Sequence, residues 1–275
     1  MRVILVPVAD RPECAQALQV AFELGKRVGA SIHGCHMRPH RYSAVTLSSE
    51  LPDAVWRRKT NNRTRVKAKN LYAQIAKQNG YEIIRRPRIA PGALWTERVG
   101  SPDKLMSIVG PVADLIVVSR PAKRGGVAEM FLTTALFGSA RPVLLLPPAG
   151  RRNIGRRVCI GWNQSPEASL AVTAALPILQ SASDVTIVSC GPEIEVGPKS
   201  SQIAAYLKHW GINSNRVRRR GRDVNAELLA ACKEARADLL ICGAYSRNRW
   251  RERIFGGTTE FLIRKARIPV MMLHI

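Results

Sequence analysis

The sequence predicts an α/β protein made of two tandem, doubly wound parallel-sheet domains with five strands each. Three observations predict this fold class: short apolar runs alternate with longer segments of helical period, parts of the first half recur in the second, and a Pro- and Gly-rich stretch separates the halves. Continuous runs of Val, Ile and Leu are typical of parallel strands that are buried on both faces and covered by helices.

Two pairs of segments show the repeat most clearly. Ala-Asp-Leu-Ile-Val-Val-Ser at 113–119 recurs as Ala-Asp-Leu-Leu-Ile-Cys-Gly at 237–243, and Arg-Pro-Val-Leu-Leu at 141–145 recurs as Ile-Pro-Val-Met-Met at 268–272. Both halves therefore have the same order of elements. A missed repeat would misassign the whole fold, so the remaining predictions start from it.

The domain boundary is predicted in the segment 147–153, where Pro and Gly end the last strand of the first half, giving domains 1–150 and 151–275. The opening apolar runs of the two halves are 155 residues apart, whereas the Ala-Asp-Leu segments are 124 apart. The first half is therefore expected to carry about thirty extra residues, placed within 38–70.

The elements of each half follow from apolar periodicity and from turn residues. In the first half, strands are predicted near 2–8, 31–37, 82–86, 114–119 and 142–147, and helices near 12–28, 58–79, 102–110 and 130–139. In the second half, strands are predicted at 157–162, 184–190, 215–219, 238–243 and 269–274, and helices at 166–180, 200–210, 224–236 and 258–266.

Composition predicts a cytoplasmic protein without a membrane segment. The six cysteines include no CxxC pair, which fits a reducing compartment, and the first apolar run is too short for a signal peptide. The net charge is +23, with 23 basic against 10 acidic residues in the first half and 20 against 10 in the second. This charge is typical either of solvated arginines or of non-specific polyanion binding.

The turn after the first strand of the second half is one candidate ligand site, because ligands of open parallel sheets bind outside the carboxyl ends of the strands. It contains Gly161, Trp162 and Asn163, and Asn163 is expected to contact a ribose or base. The other interpretation is that the turn only caps the next helix, with Ser165 at the N-cap and Pro166 at N1.

A second turn, from Gly243 to Thr259, has the composition of an anion site. A strand ends at Gly243, a basic loop follows, and Gly-Gly-Thr-Thr opens the last helix. Glycines allow a close approach of phosphate oxygens, and the first N–H groups of a helix lack internal partners. Thr258 or Thr259 is expected to cap this helix and contact phosphate. The alternative is a flexible helix entry with solvated arginines.

These residues resemble the universal stress proteins, whose nucleotide-binding members carry the pattern G-x2-G-x9-G-(S/T). Gly243, Ser246 and Gly256 fall at that spacing, between Ala-Asp-Leu-Leu before them and Thr-Thr-Glu after them, and Ile-Pro-Val leads the last strand. The resemblance implies a sheet like that of flavodoxin or the adenine nucleotide α-hydrolases. It also implies ATP, AMP or ADP bound by the second domain, together with Mg²⁺.

The resemblance assigns the site residues. Those expected to hold the nucleotide are Gly161, Trp162, Asn163, Cys190, Cys242, Gly243, Ser246, Arg247, Gly256, Gly257, Thr258 and Thr259. Two of them depart from the pattern, since Ser246 replaces a glycine and Gly257 stands where Ser or Thr is usual. The resemblance further implies pairing of the two repeats through their last strands as an internal pseudo-dimer, and leaves open a homodimer.

The first half is expected to bind no nucleotide, because Ser119-Arg120-Pro121 replaces the first glycine segment and Glu129-Met130 aligns with Gly256-Gly257. Proline removes a donor, and a carboxylate repels phosphate.

The sequence shows no catalytic constellation and no convincing metal site. His33, Cys35 and His36 do not share one strand face, and no Walker A, GxGxxG or Ser/His/Asp pattern occurs. The basic cluster 216–222 is interpreted as a solvated strand edge, with a polyanion contact as the alternative. The predicted function is a non-enzymatic, nucleotide-responsive protein of the stress response; the alternative is a scaffold of the same family that binds no nucleotide and acts through protein contacts.

Overall fold

The structure is a computed structural model that describes residues 1–38, 54–121, 127–148, 150, 153–191, 197–244 and 257–275. The chain divides into two compact units, Met1–Arg141 and Pro142–Ile275. None of the helices in the described ranges is long and apolar enough to cross a membrane.

The first unit contains a parallel sheet with helices between its strands. The strand order is β3-β4-β2-β1-β5. Its elements are β1 (Val3–Pro7), α1 (Pro12–Val28), β2 (Ser31–Arg38), α2 (Ala54–Gln78), β3 (Ile83–Ile84), β4 (Ala93–Val99), α3 (Pro102–Val109), β5 (Leu115–Ser119) and α4 (Val127–Gly138).

The second unit contains a sheet of order β6-β11-β10-β7-β8-β9, in which only the β6–β11 pair is antiparallel. Its elements are β6 (Val143–Leu146), β7 (Arg157–Gly161), α5 (Pro166–Leu179), β8 (Asp184–Cys190), α6 (Ser200–His209), β9 (Asn215–Arg219), α7 (Val224–Glu234), β10 (Leu239–Gly243), α8 (Thr258–Lys265) and β11 (Val270–Leu273). The central strands β10 and β11 are almost completely buried, as their continuous apolar sequences predict.

The predicted α/β fold class is confirmed, but the described residues contain eleven strands where ten were expected. The missed strand is β4, which pairs with β2 over seven residues. Its neighbour β3 pairs only with Ala93 and Leu94, so the later residues of β4 are partly or fully exposed, and three of them, Thr96, Glu97 and Arg98, are polar. The sequence there has no continuous apolar run that would indicate a strand.

The extra residues of the first half are not confined to 38–70. Part of the difference lies in α2, which has 25 residues where its counterpart α6 has 10. Another part lies after Ile84, in the added connection and strand that lead to Val99. The residues between β2 and α2 lie outside the described ranges.

In both units, an aspartate just before one strand binds the backbone at the beginning of a neighbouring parallel strand. In the second unit, the Asp238 carboxylate accepts hydrogen bonds from the backbone N–H groups of Gly155, Arg156 and Arg157. In the first unit, the Asp114 carboxylate accepts from Arg2 and Val3, the latter at 2.9 Å. The Asp of the repeated Ala-Asp-Leu sequence therefore ties β10 to β7 in the second unit and β5 to β1 in the first.

Asp114 makes the stability of the first unit pH-dependent. Burial acts to raise the pKa of Asp114, but hydrogen bonds from the N–H groups of Arg2 and Val3, together with the positive charges of the N-terminus and Arg141, lower it below its ordinary value. For a lowered pKa, the stabilisation is complete above the unfolded-state pKa, near 4, and is lost as the pH falls through the folded-state pKa.

We therefore expect the free energy of unfolding to fall more steeply for the wild type than for Asp114→Asn between about pH 5 and pH 2. Denaturant titrations of both proteins at several pH values measure this difference. Parallel pH profiles would contradict the role given to Asp114.

Candidate functional site

The candidate site lies at the carboxyl ends of β7 and β10, where the strand order of the second unit reverses. β7 pairs with β8 on one side and with β10 on the other, and such a reversal opens a crevice beyond the strand ends. The helix α8 connects two parallel strands, β10 and β11, so its N-terminus lies at the same edge of the sheet as the end of β10.

Gly243 ends β10 against the first turn of α5. A Cβ at Gly243 would lie 2.7 Å from the backbone nitrogen of Ala168 and 3.0 Å from the carbonyl carbon of Glu167. Glycine is therefore required here by the packing of a strand end on a helix, independently of any ligand. At Gly161, by contrast, a Cβ would meet the Cβ of Cys242 at 3.4 Å, an ordinary contact.

The turn after β7 is fixed by local hydrogen bonds. The N-cap prediction for Ser165 is confirmed: its Oγ accepts from the backbone N–H of Ala168 at 3.1 Å, and Pro166 occupies N1. Asn163 Oδ1 accepts from the backbone N–H of Ser165 at 3.3 Å, and the Asn163 side chain is exposed. The capping interpretation and the ligand interpretation are thus compatible, because capping leaves Asn163 at the surface of the crevice.

Trp162 and Cys242 lie in the core and not on the surface of the crevice. The Trp162 side chain is 4% exposed, and its Nε1–H donates to the carbonyl of Pro198 at 2.8 Å. This contact ties the segment before α6 to the end of β7. Cys242 is 6% exposed, and burial raises its pKa to about 12. Neither side chain is placed to contact a ligand.

Cys190 ends β8 beside the crevice and is half-buried. Burial, and then the neighbouring carboxylate of Glu227, raise the pKa of its thiol. Gly191 follows with φ of 78°, and its N–H donates to the carbonyl of Arg219 at 3.0 Å, which turns the chain away from the sheet. The Cys190 thiol is therefore protonated, and it lies at the edge of the crevice.

The helix α8 begins after a glycine, which has no side chain with which to cap it. The N-cap is Gly257, and the expectation that Thr258 or Thr259 caps the helix is wrong, because these residues occupy its first two helical positions. Gly257 has φ of 102° and ψ of −169°, a conformation that side chains disfavour, and no atom of the described residues beyond its chain neighbours lies within 4 Å of the position of a Cβ. Thr259 is buried, whereas Thr258 is partly exposed.

Three of the predicted phosphate ligands, Ser246, Arg247 and Gly256, lie outside the described residues. Five of the remaining predicted site residues fall into two groups. Gly161, Asn163 and Gly243 lie at the ends of adjacent strands, and Gly257 and Thr258 lie at the start of the helix that follows.

Sequence reasoning missed Glu167, in the first turn of α5. Its Oε2 is buried and has no hydrogen-bond partner among the described residues, and its Cβ is close to Gly243. A negative charge is favoured at a helix N-terminus. A buried oxygen with no partner among the described residues is a candidate contact for a ligand or ion. The repeat carried a signal, since Pro166-Glu167 corresponds to Pro12-Glu13 in the first half.

In the first unit, a serine takes the place of the glycine at the end of the corresponding strand. Ser119 stands where the second unit has Gly243, and its Oγ–H donates to the carbonyl of Glu13 in the first turn of α1 at 2.9 Å. A hydroxyl thus occupies the place where the second unit brings two backbones together. Glu129 lies in the first turn of α4, the counterpart of α8.

His36 is held by structural contacts. Its Nδ1–H donates to the carbonyl of Val8 at 2.8 Å, and its ring stacks on Trp95. In the described part of the chain, no group of three or more His, Cys, Asp or Glu residues is arranged to hold a metal ion.

Comparison with known proteins adds independent findings. Residues 164–274 match the Universal stress protein family. A universal stress protein from Archaeoglobus fulgidus DSM 4304 is similar in structure, with a TM-score of 0.75 and 18% identity over 98% of this chain and 97% of that chain. For a functionally unknown protein from Pseudomonas aeruginosa PAO1, the TM-score is 0.61 and the identity 12%, over 99% and 92%. None of the curated proteins compared with the chain matches it.

A further structure, of a universal stress protein in complex with cAMP, covers 42% of this chain and 95% of its own at 18% identity, with a TM-score of 0.32. The resemblance inferred from Gly243, Ser246 and Gly256 is thus confirmed by the match at 164–274. The second unit is a universal stress protein domain, in a chain whose fold throughout is that of the universal stress protein from Archaeoglobus fulgidus.

Proposed function

We propose that the second unit binds an adenine nucleotide such as ATP, and that the protein is a non-enzymatic, nucleotide-responsive module of the cytoplasmic stress response. The observation that carries this proposal is the N-terminus of α8. This helix begins after Gly257, a glycine N-cap in a positive-φ conformation, at the strand ends where the sheet order reverses. The first N–H groups of a helix lack intrahelical partners, and together with the helix dipole they favour phosphate.

One set of site residues would contact the phosphates of the nucleotide, and another would contact its nucleoside. Gly257 and Thr258 would hold phosphate oxygens through backbone N–H groups and a hydroxyl, with Ser246, Arg247 and Gly256 completing the loop as the sequence predicts. Asn163 is exposed beyond β7 and would contact the ribose or base. Gly161 and Cys190 would border the nucleoside by their position at the strand ends.

Magnesium fits the residues present. Mg²⁺ is usually bound by one or two carboxylates together with phosphate oxygens and water. Glu167 is such a carboxylate: its buried Oε2, next to the end of β10, has no hydrogen-bond partner among the described residues. When bound, the ion would neutralise phosphate charge beside Glu167, which otherwise repels it.

Two further features support the wider proposal. All six cysteines are free, as is expected in a reducing compartment. The strand β6, which the repeat assigns to the first half, pairs antiparallel with β11, and this pairing supports association of the repeats through their last strands. A homodimer of the whole chain stays a prediction.

Calorimetric titration of the full chain with ATP and Mg²⁺ tests the nucleotide site. We expect saturable binding near one nucleotide per chain, and Gly257→Ala is expected to weaken it at least tenfold, because alanine disfavours φ of 102° and the loop would rearrange. Gly256→Glu, which copies Glu129 of the first half, is expected to abolish binding.

Gly211→Ala is the matched control. Gly211 also has a positive φ, 73°, with open space around a Cβ, but it follows α6 near the start of β9 and not the strand ends. Both alanine variants are expected to lose stability, and only Gly257→Ala should lose binding. If the wild type binds no nucleotide, the proposal fails and the scaffold function takes its place.

A further inference from the structure

The surface formed by α6 and β9 is strongly basic and lies away from the nucleotide site. Between Gly197 and Arg222 the chain has seven Lys and Arg residues and no Asp or Glu. The helices α5 and α6 together contain one acidic residue, Glu167, which belongs to the candidate nucleotide site. The local excess of positive charge attracts anionic partners to this surface.

Strand alternation divides the arginines of β9 between the two faces of the sheet. Arg219 pairs with Glu234 of α7, so it lies on the α7 face. Arg216 and Arg218 lie on the opposite face, because successive side chains of a strand alternate. Right-handed connections place α6 on that opposite face, and both arginines are exposed there.

Two aromatic residues belong to α6 and its C-cap, and α6 is the helix on the same face of the sheet as Arg216 and Arg218. Trp210, at the C-terminus of α6, is 46% exposed, and its ring contacts Tyr206 at a centroid distance of 6.4 Å. Lys208 and His209 precede it and are exposed as well. An exposed indole beside cations is the combination on which unpaired bases stack while their phosphates are neutralised.

We propose that this α6–β9 face, defined by Lys208, Trp210, Arg216, Arg218 and Arg220, binds single-stranded nucleic acid. β9 is the edge strand of its sheet, since it pairs only with β8 in the described residues. Four residue steps from Arg216 to Arg220 span about 13 Å, so the arginines form a row that a strand backbone can follow.

Charged side chains also protect an edge strand from pairing with other chains. That role explains arginines on β9. It does not require an exposed tryptophan or a basic α6, and nucleic-acid binding accounts for all three features together.

Fluorescence anisotropy of the full chain with a fluorescein-labelled 12-nucleotide oligouridylate tests the proposal. We expect the double variant Arg216→Gln, Arg218→Gln to bind at least tenfold more weakly at about 0.1 M salt, and the slope of log affinity against log salt to fall by about 1.4. Arg85→Gln, Arg86→Gln is the matched control, because both arginines are exposed after the edge strand β3 of the first unit. It should change affinity less than twofold.

Trp210→Ala separates stacking from charge. It should weaken binding of the oligouridylate about tenfold and change binding of a duplex of the same length less than twofold, since paired bases cannot stack on the ring. Circular dichroism checks that the variants fold. Equal losses in both arginine pairs, or unchanged oligouridylate binding in Trp210→Ala, would overturn the proposal. Gly257→Ala should bind the oligouridylate normally, which keeps this result independent of the nucleotide site.

Discussion

Gly243→Ala is expected to lower the free energy of unfolding by about 2–3 kcal/mol. The added Cβ would lie 2.7 Å from the backbone nitrogen of Ala168. Backbone atoms cannot move aside as a flexible side chain can, so β10 and α5 would have to separate. The strand ends that form the crevice would move with them.

Gly161→Ala is the control for this prediction. Its Cβ would meet Cys242 at 3.4 Å, so the free energy of unfolding should change by less than about 1 kcal/mol. Urea titrations of the wild type and both variants measure the two effects. Equal stability of the two variants would show that the contact between Gly243 and α5 is looser than the structure indicates.

Asp238→Ala is expected to cost about 3–4 kcal/mol, because three backbone N–H groups lose a carboxylate partner at once. Asp238 is only 9% exposed, so water replaces it poorly. Asp114→Ala should cost about half as much, since two N–H groups are involved and they are nearer the surface.

Asp238→Asn retains one oxygen acceptor and should fall between the wild type and Asp238→Ala. Urea titration gives the order of stability, and amide hydrogen exchange at residues 155–157 locates the effect. Exchange that stays slow there in Asp238→Ala would contradict the assignment of these hydrogen bonds.

Local sequence pattern was sufficient to place the ends of some strands, whether they are buried like β8 or lie at the sheet edge like β9. β8 at Asp184–Cys190 and β9 at Asn215–Arg219 begin and end at the predicted residues, because polar turn residues bound them on both sides. β4 was missed because most of it extends beyond its neighbour β3. Its polar residues, such as Glu97 and Arg98, conceal the strand in the sequence.

The candidate site was predictable only in part. The glycines and Asn163 follow strand ends, and strand ends can be found from sequence. The burial of Trp162 depends on its hydrogen bond to Pro198, and the constraint on Gly243 depends on α5, about 75 residues earlier in the chain. Such packing between distant segments leaves no local signal, and neither does the isolated oxygen of Glu167.

The antiparallel pairing of β6 with β11 means that the border of the duplicated sequence and the border of the compact unit fall at different places. A fragment that begins at residue 151 would contain one full sequence repeat, yet it would lack β6. The apolar strand Val270–Leu273 would then have one unpaired edge, a surface that promotes aggregation. Excision of the second domain as a soluble piece therefore has to begin before Pro142, inside what the sequence counts as the first copy.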